Sequence, residues 1–163
     1  MAARPPASRV VHGTCLALDG CGVLILGPPG SGKSDLALRL IDQPGRGTGP
    51  EALTARLVAD DQVAIERRDS RLFAAAPERL AGLIEVRGLG IVRVDPVPEA
   101  ELRLAVRLAA ASTIERLPEH PSRWVFLDVE LPEIAIDAAA ASAPARLRAG
   151  VIEVLRRSPE LVR

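Results

Sequence analysis

The sequence predicts an α/β domain: a hairpin-rich sheet, a phosphate-binding loop (P-loop) between one strand and one helix, and a helix near the C-terminus. Three observations lead there. First, Gly27-Pro28-Pro29-Gly30-Ser31-Gly32-Lys33-Ser34 fits G-x-x-x-x-G-K-[ST] at every fixed position. The apolar run Val23–Leu26 precedes it, and the helically spaced Asp35–Ile41 follows it. Second, strand-like segments outnumber helical ones and many are joined by hairpins, unlike an ordinary parallel-sheet phosphate-loop protein, where strands alternate with helices. Third, Pro144–Arg157 carries an apolar stripe of Leu147, Val151, Val154 and Leu155, with Pro in its first turn.

The loop's residue types follow from its chemistry. Glycines let the backbone turn tightly and aim N–H groups at phosphate oxygens. The helix start adds free N–H donors and a positive dipole end. Lys33 offers a compact, mobile charge for the outer phosphates and Ser34 a hydroxyl for Mg²⁺. Lys33 is the only lysine, all other members of the 21 Lys+Arg being arginine. The single ammonium falls where a planar fork would fit badly.

Composition narrows the class. At 163 residues, 48% hydrophobic and 26% charged, the chain is long enough for one domain with a sizeable core. A net charge of zero provides no basic field for nucleic acid or an anionic membrane, and Phe73, Trp124 and Phe126 are too few for a base-stacking platform. No run approaches a membrane span. Cys15 and Cys21 lack metal-ligand spacing and read as buried free thiols, which agrees with a cytoplasmic protein. Residues 1–8 lack the apolar region of a signal peptide and read as a flexible lead, leaving 9–163 as a single domain built around the P-loop.

In chain order, Arg9–Gly13 starts the structure. Thr14–Leu18 and Cys21–Leu26 form a hairpin about Asp19-Gly20 and deliver the chain into the loop. The helix after Ser34 runs to about Ile41, residues 43–50 form a Gly/Pro-rich loop, and residues 51–55 read as a short helical turn. Arg56–Ala59 is an apolar strand ending in Asp60-Asp61, which sets carboxylates at the strand's C-terminal edge beside a metal and an attacking nucleophile. Gln62–Glu66 and Leu72–Ala75 pair across a polar turn that carries Arg67, Arg68 and Arg71, and Pro77 opens a single helical turn. In Ile84–Val92, Glu85 and Arg87 share one face of an extended segment ahead of Gly88 and Gly90. That is the form of a catalytic loop, and equally of a salt-bridged strand. Leu102–Leu108, Trp124–Val129 and Leu131–Ile136 are further strands, and in the last helix Arg146, Arg148, Glu153 and Arg156 occupy the other faces. His12, at a strand start, suits a structural hydrogen bond or contact with a transferred phosphate or its acceptor.

Some classes drop out. The chain has no asparagine, so the N-K-x-D motif that reads guanine is absent. Its arginines lie among strand-like segments rather than on a helical lid of the small-molecule kinase type.

Taken in order, His12-Gly13, the phosphate loop, Leu57-Val58-Ala59-Asp60-Asp61 and Glu85-Val86-Arg87-Gly88-Leu89-Gly90-Ile91 resemble the catalytic domain of bacterial HPr kinase/phosphorylase. The resemblance covers roughly residues 9–155, without the family's usual N-terminal domain. It implies a P-loop-containing mixed sheet of the HPr kinase and phosphoenolpyruvate carboxykinase type. It also implies ATP-dependent phosphorylation of a serine on the phosphocarrier protein HPr, often reversed with inorganic phosphate to give pyrophosphate, in a homo-oligomer that is commonly a hexamer. Gly27–Ser34 would hold ATP, and Ser34 and Glu85 would hold Mg²⁺. Asp61 would be the general base beside Asp60, with Lys33, His12, Arg87 and Arg116 completing the site. Pro28-Pro29 stands where the family more often has Asp-Ser, and residues 43–54 are longer than the family's turn. Two rival functions carry different expectations: a small-molecule kinase on the same scaffold, and a non-catalytic nucleotide-sensing module.

Overall fold

The computed structural model describes residues 7–158. Along the chain run β1 (Ser8–His12), β2 (Thr14–Leu18), β3 (Cys21–Leu26), α1 (Lys33–Asp42), β4 (Ala55–Ala59), β5 (Gln62–Arg68) and β6 (Arg71–Ala75). Then follow β7 (Leu83–Val86), β8 (Gly90–Arg93), β9 (Ala100–Leu108), β10 (Ser122–Phe126), β11 (Val129–Ile136) and α2 (Ala143–Arg157). One mixed sheet runs β1-β5-β6-β9-β3-β2-β4, with β11 beside β9 and β10 beside β11, while β7–β8 is a separate hairpin. β9 is the long central strand. It pairs in parallel with β3 and β11 and in antiparallel with β6.

β3, and β2 after Thr14, read as unbroken apolar runs because both faces of the sheet are covered there. Leu16, Leu18, Val23, Ile25 and Leu57 face one core, which α1 and α2 complete through Leu36, Leu40, Leu147 and Val151. Cys15, Ala17, Leu24 and Val58 face the other, which Val63, Ile65, Leu72, Val129 and Leu131 complete. Both cysteines are free and buried. Burial pushes the Cys21 thiol up to about 11, and Cys15 higher still.

Close strand packing leaves Gly22 no room for a side chain. An added Cβ would sit 2.8 Å from the Glu101 carbonyl carbon and closer still to its oxygen, both of them backbone atoms of β9. Gly22→Ala is expected to destabilise the fold by about 1–3 kcal/mol, measured as a lower midpoint in urea unfolding with an unchanged slope.

What brings the functional elements together is a bend shared by two paired segments. Only Gly13 separates β1 from β2, and only Asp60-Asp61 separates β4 from β5. β1 pairs with β5, ending at His12↔Gln62, and β2 pairs with β4, starting at Cys15↔Ala59. Both segments therefore turn at the same level, where the Gly13 N–H donates to the Asp61 carbonyl at 3.1 Å. Thr14 also stands opposite Ile25, just before the phosphate loop.

Several sequence expectations shift. Ser8 already pairs with Glu66, and the Ala7 carbonyl accepts from the Arg67 N–H, so the expected 1–8 lead overlaps β1; residues 1–6 lie outside the described residues. Residues 51–54 form no helical turn, since Leu53 bridges Gly45 in extended form. Arg67 and Arg68 belong to β5, leaving Asp69-Ser70 as the turn. Trp124–Val129 is not one strand. Leu127 (φ 48°) and Asp128 (φ 60°) make a hairpin turn there, and the Arg67 guanidinium holds it by donating to the Leu127 carbonyl at 2.8 Å. Arg148 does not lie on a polar face but is only 3% exposed. It donates to the carbonyls of Leu53 (3.2 Å), Leu40 (3.1 Å) and Gln43, tying α2 to the end of α1 and to the 43–54 loop. Burial without a carboxylate partner lowers its guanidinium pKa.

Candidate active site

The Gly27–Ser34 loop leaves β3 and enters α1 at Gly32, whose φ of 96° is left-handed and favours glycine. No side chain caps the helix, so its first-turn N–H groups are available to an anion. Asp35 and Arg39 pair along its exposed side at 3.1 Å. The Lys33 ammonium, almost buried, folds back onto the loop and donates to the carbonyls of Gly27 (2.9 Å) and Pro28 (3.0 Å). Burial lowers its pKa, with the negative charges of Asp60 and Asp61 opposing the shift. Ser31 Oγ is buried without a hydrogen-bond partner, the one such side-chain atom among the described residues. An orphaned hydroxyl and uncapped N–H groups around a turned-back lysine fit a phosphate chain, whose oxygens would satisfy all three.

Asp60 is the hub of the site. It is 5% exposed, yet its carboxylate accepts from three donors. Thr14 Oγ1 donates to Oδ1 at 2.8 Å, Ser34 Oγ lies 2.8 and 3.0 Å from the two oxygens, and the Glu85 N–H donates to Oδ2 at 3.2 Å. Strand β2, the loop helix and the β7–β8 hairpin thus converge on one carboxylate. Asp61, next in the chain, points outward. Its φ of 66° is a left-handed conformation that Asp tolerates. Its side chain is 66% exposed and lies 3.3 Å from His12 Nδ1. One buried, anchored acid therefore stands beside one open acid, a division that suits a metal-side carboxylate and a proton acceptor.

Of the expected site residues, His12, Lys33, Ser34, Asp60, Asp61 and the backbone of Glu85 come together. The Glu85 side chain is exposed. Arg87 does not share an extended face with it, because residues 87–89 form the turn of the β7–β8 hairpin. Arg116 lies in the exposed segment between β9 and β10, and no hydrogen bond or ion pair among the described residues ties it or Arg87 to the loop. Thr14 escaped the sequence reading, although it is the lone polar residue of an otherwise apolar strand. Among the described residues no group of three or more His, Cys, Asp or Glu side chains forms a metal cage. Mg²⁺ asks for less, since it is usually held by one or two carboxylates together with substrate phosphates.

Residues 6–160 match the family model described as the HPr Serine kinase C-terminal domain. An HPr kinase/phosphorylase of Geobacillus thermodenitrificans is 34% identical over 158 residues, covering 90% of this chain and 47% of that protein. One of Levilactobacillus brevis is 35% identical over 137 residues, covering 77% and 41%. The chain thus spans less than half the length of these relatives. The solved structure of the Hpr(Ser) kinase/phosphatase from Coxiella burnetii superposes with a TM-score of 0.73 at 26% identity, covering 93% of this chain and 99% of that one. The mixed α/β fold with its C-terminal helix is therefore that of a solved HPr kinase, and the chain belongs to the HPr Serine kinase C-terminal domain family.

Proposed function

We propose that the chain transfers the γ-phosphoryl group of ATP to a seryl hydroxyl of an HPr-like phosphocarrier, and that it reverses the transfer by phosphorolysis, in regulation of the phosphotransferase system. Family membership supports the chemistry. The observation that carries the acceptor class is the exposure of Asp61 and His12 beside the phosphate loop. An open pair can meet a hydroxyl presented on another protein's surface, whereas a metabolite kinase encloses its acceptor.

In this reading Gly27–Ser34 cradles the phosphates through backbone N–H groups. Lys33 leaves the Gly27 and Pro28 carbonyls to balance charge on the transferring group. Ser34, Asp60 and Glu85 would hold Mg²⁺, which neutralises phosphate charge when bound. Asp61 accepts the seryl proton while the serine oxygen bonds to the γ-phosphorus and the bond to the β-phosphate oxygen breaks, releasing ADP. In reverse, inorganic phosphate attacks phosphoserine, Asp61 returns the proton to the serine oxygen, and pyrophosphate leaves. His12 orients Asp61 across the 3.3 Å contact. Arg116 near the acceptor, Arg87 in the catalytic loop and a homo-oligomeric, commonly hexameric assembly are assigned by resemblance alone, and a cytoplasmic location follows from the two free thiols. Among the described residues no helix is long and apolar enough to cross a membrane.

The test is transfer of label. With γ-labelled ATP and Mg²⁺, label should accumulate on HPr, and adding inorganic phosphate should return it as labelled pyrophosphate. ATP consumption that labels a metabolite and leaves HPr unlabelled would overturn the acceptor assignment.

A further inference from the structure

Asp60 can orient the loop serine only if it is itself held in place. When a nucleotide-bound cation draws on the lone pairs of Ser34 Oγ, the serine's proton must stay directed at Asp60, so Ser34 cannot also be the carboxylate's sole anchor. Two donors outside the phosphate loop remain: the Glu85 N–H, on a hairpin separate from the main sheet, and the Thr14 hydroxyl. Thr14 is the more rigid of the two. It is 0% exposed, its β-branched side chain has few rotamers, and its backbone pairs with Ile25 in the sheet interior. Its placement follows from the shared bend, which puts the first residue of β2 beside the acid that follows β4.

We infer that Thr14 is a positioning residue for nucleotide-bound Mg²⁺: its hydroxyl fixes the Asp60 carboxylate, which in turn aims Ser34. The inference rests on the nucleotide-binding half of the proposed function and not on the identity of the acceptor. A hydroxyl-less side chain of the same shape would leave Oδ1 facing a methyl group, and Asp60 could then turn with the serine instead of directing it. Partners of this outer kind commonly change metal affinity by about 10–100-fold when lost.

The experiment is a titration of the full chain with a fluorescent ADP analogue, with and without Mg²⁺ and with no acceptor present. Thr14→Val should raise the Mg²⁺ concentration needed for half-maximal tightening about tenfold or more, while metal-free nucleotide affinity stays at the wild-type value. Thr14→Ser, which keeps the oxygen, should restore the wild-type Mg²⁺ dependence. If Thr14→Val fails to fold, Thr14→Ala against Thr14→Ser makes the same comparison of hydroxyl with none. A hydroxyl-less variant with wild-type Mg²⁺ dependence overturns the inference, as does a serine variant as impaired as the hydroxyl-less one. A wild-type chain that binds Mg²⁺–nucleotide but labels no HPr overturns only the acceptor assignment. One whose nucleotide binding ignores Mg²⁺ overturns the inference and the proposed Mg²⁺ site, and leaves the acceptor to the labelling experiment.

Discussion

Asp61→Asn is expected to slow phosphoryl transfer to HPr by roughly 10²–10⁴-fold while nucleotide affinity stays unchanged, the usual weight of a general acid–base group. The separation follows from the geometry. The Asp61 side chain is two-thirds exposed and meets His12, whereas the hydroxyl that enters the loop site is held by Asp60. The amide keeps the shape and leaves the backbone bond from Gly13 untouched. What it lacks is the basic oxygen that takes the seryl proton in the proposed mechanism. Both directions should suffer alike, since the same group returns the proton in reverse. Single-turnover labelling of HPr beside a nucleotide titration checks this. A variant that transfers phosphate at the wild-type rate would remove Asp61 from the chemistry.

Lys33→Ala is expected to fail differently, losing about 10²–10³-fold or more in transfer and weakening nucleotide binding as well. Lys33 is the only lysine of the chain, and its ammonium lies almost buried against two loop carbonyls. Burial has already lowered its pKa, so the charge is only partly compensated before a phosphate arrives. Anionic oxygens would supply that compensation, which makes the lysine useful to bound nucleotide as well as to the transferring group. Thermal melting in excess nucleotide should show the loss as a smaller stabilising shift than in wild type. The two substitutions together also separate enzyme from sensor. A nucleotide-sensing module would keep its cellular effect in Asp61→Asn and lose it in Lys33→Ala, whereas an enzyme loses it in both.

Where a signal is local, the sequence carried it. The turn from strand to helix at Gly27–Ser34, the Asp19-Gly20 hairpin and the last helix were legible because turn chemistry, apolar spacing and a first-turn proline act over a few residues. The acids at 60 and 61 were legible as a strand-end pair. That Asp60 is buried and anchored while Asp61 is open was not, because it depends on two segments bending at one level. Thr14 was missed for the same reason: its partner is 46 residues away. The Leu127-Asp128 turn lacks the usual Asn-Gly or Asp-Gly, and its anchor, Arg67, comes from a distant strand. Arg148 looked like surface because nothing in its own helix shows that the loop at 43–54 folds over it. Glu85 and Arg87 were read as sharing an extended face, but the hairpin turn intervenes, and Pro28-Pro29 has no structural explanation here beyond the Pro28 carbonyl that receives Lys33.

The most direct measurement is peptide mapping by mass spectrometry of purified HPr after incubation with this chain, ATP and Mg²⁺. The predicted result is a single phosphoserine on HPr, absent with Asp61→Asn or Lys33→Ala and lost again when inorganic phosphate is added. Unmodified HPr in a mixture where the chain demonstrably binds Mg²⁺–ATP would contradict the assignment.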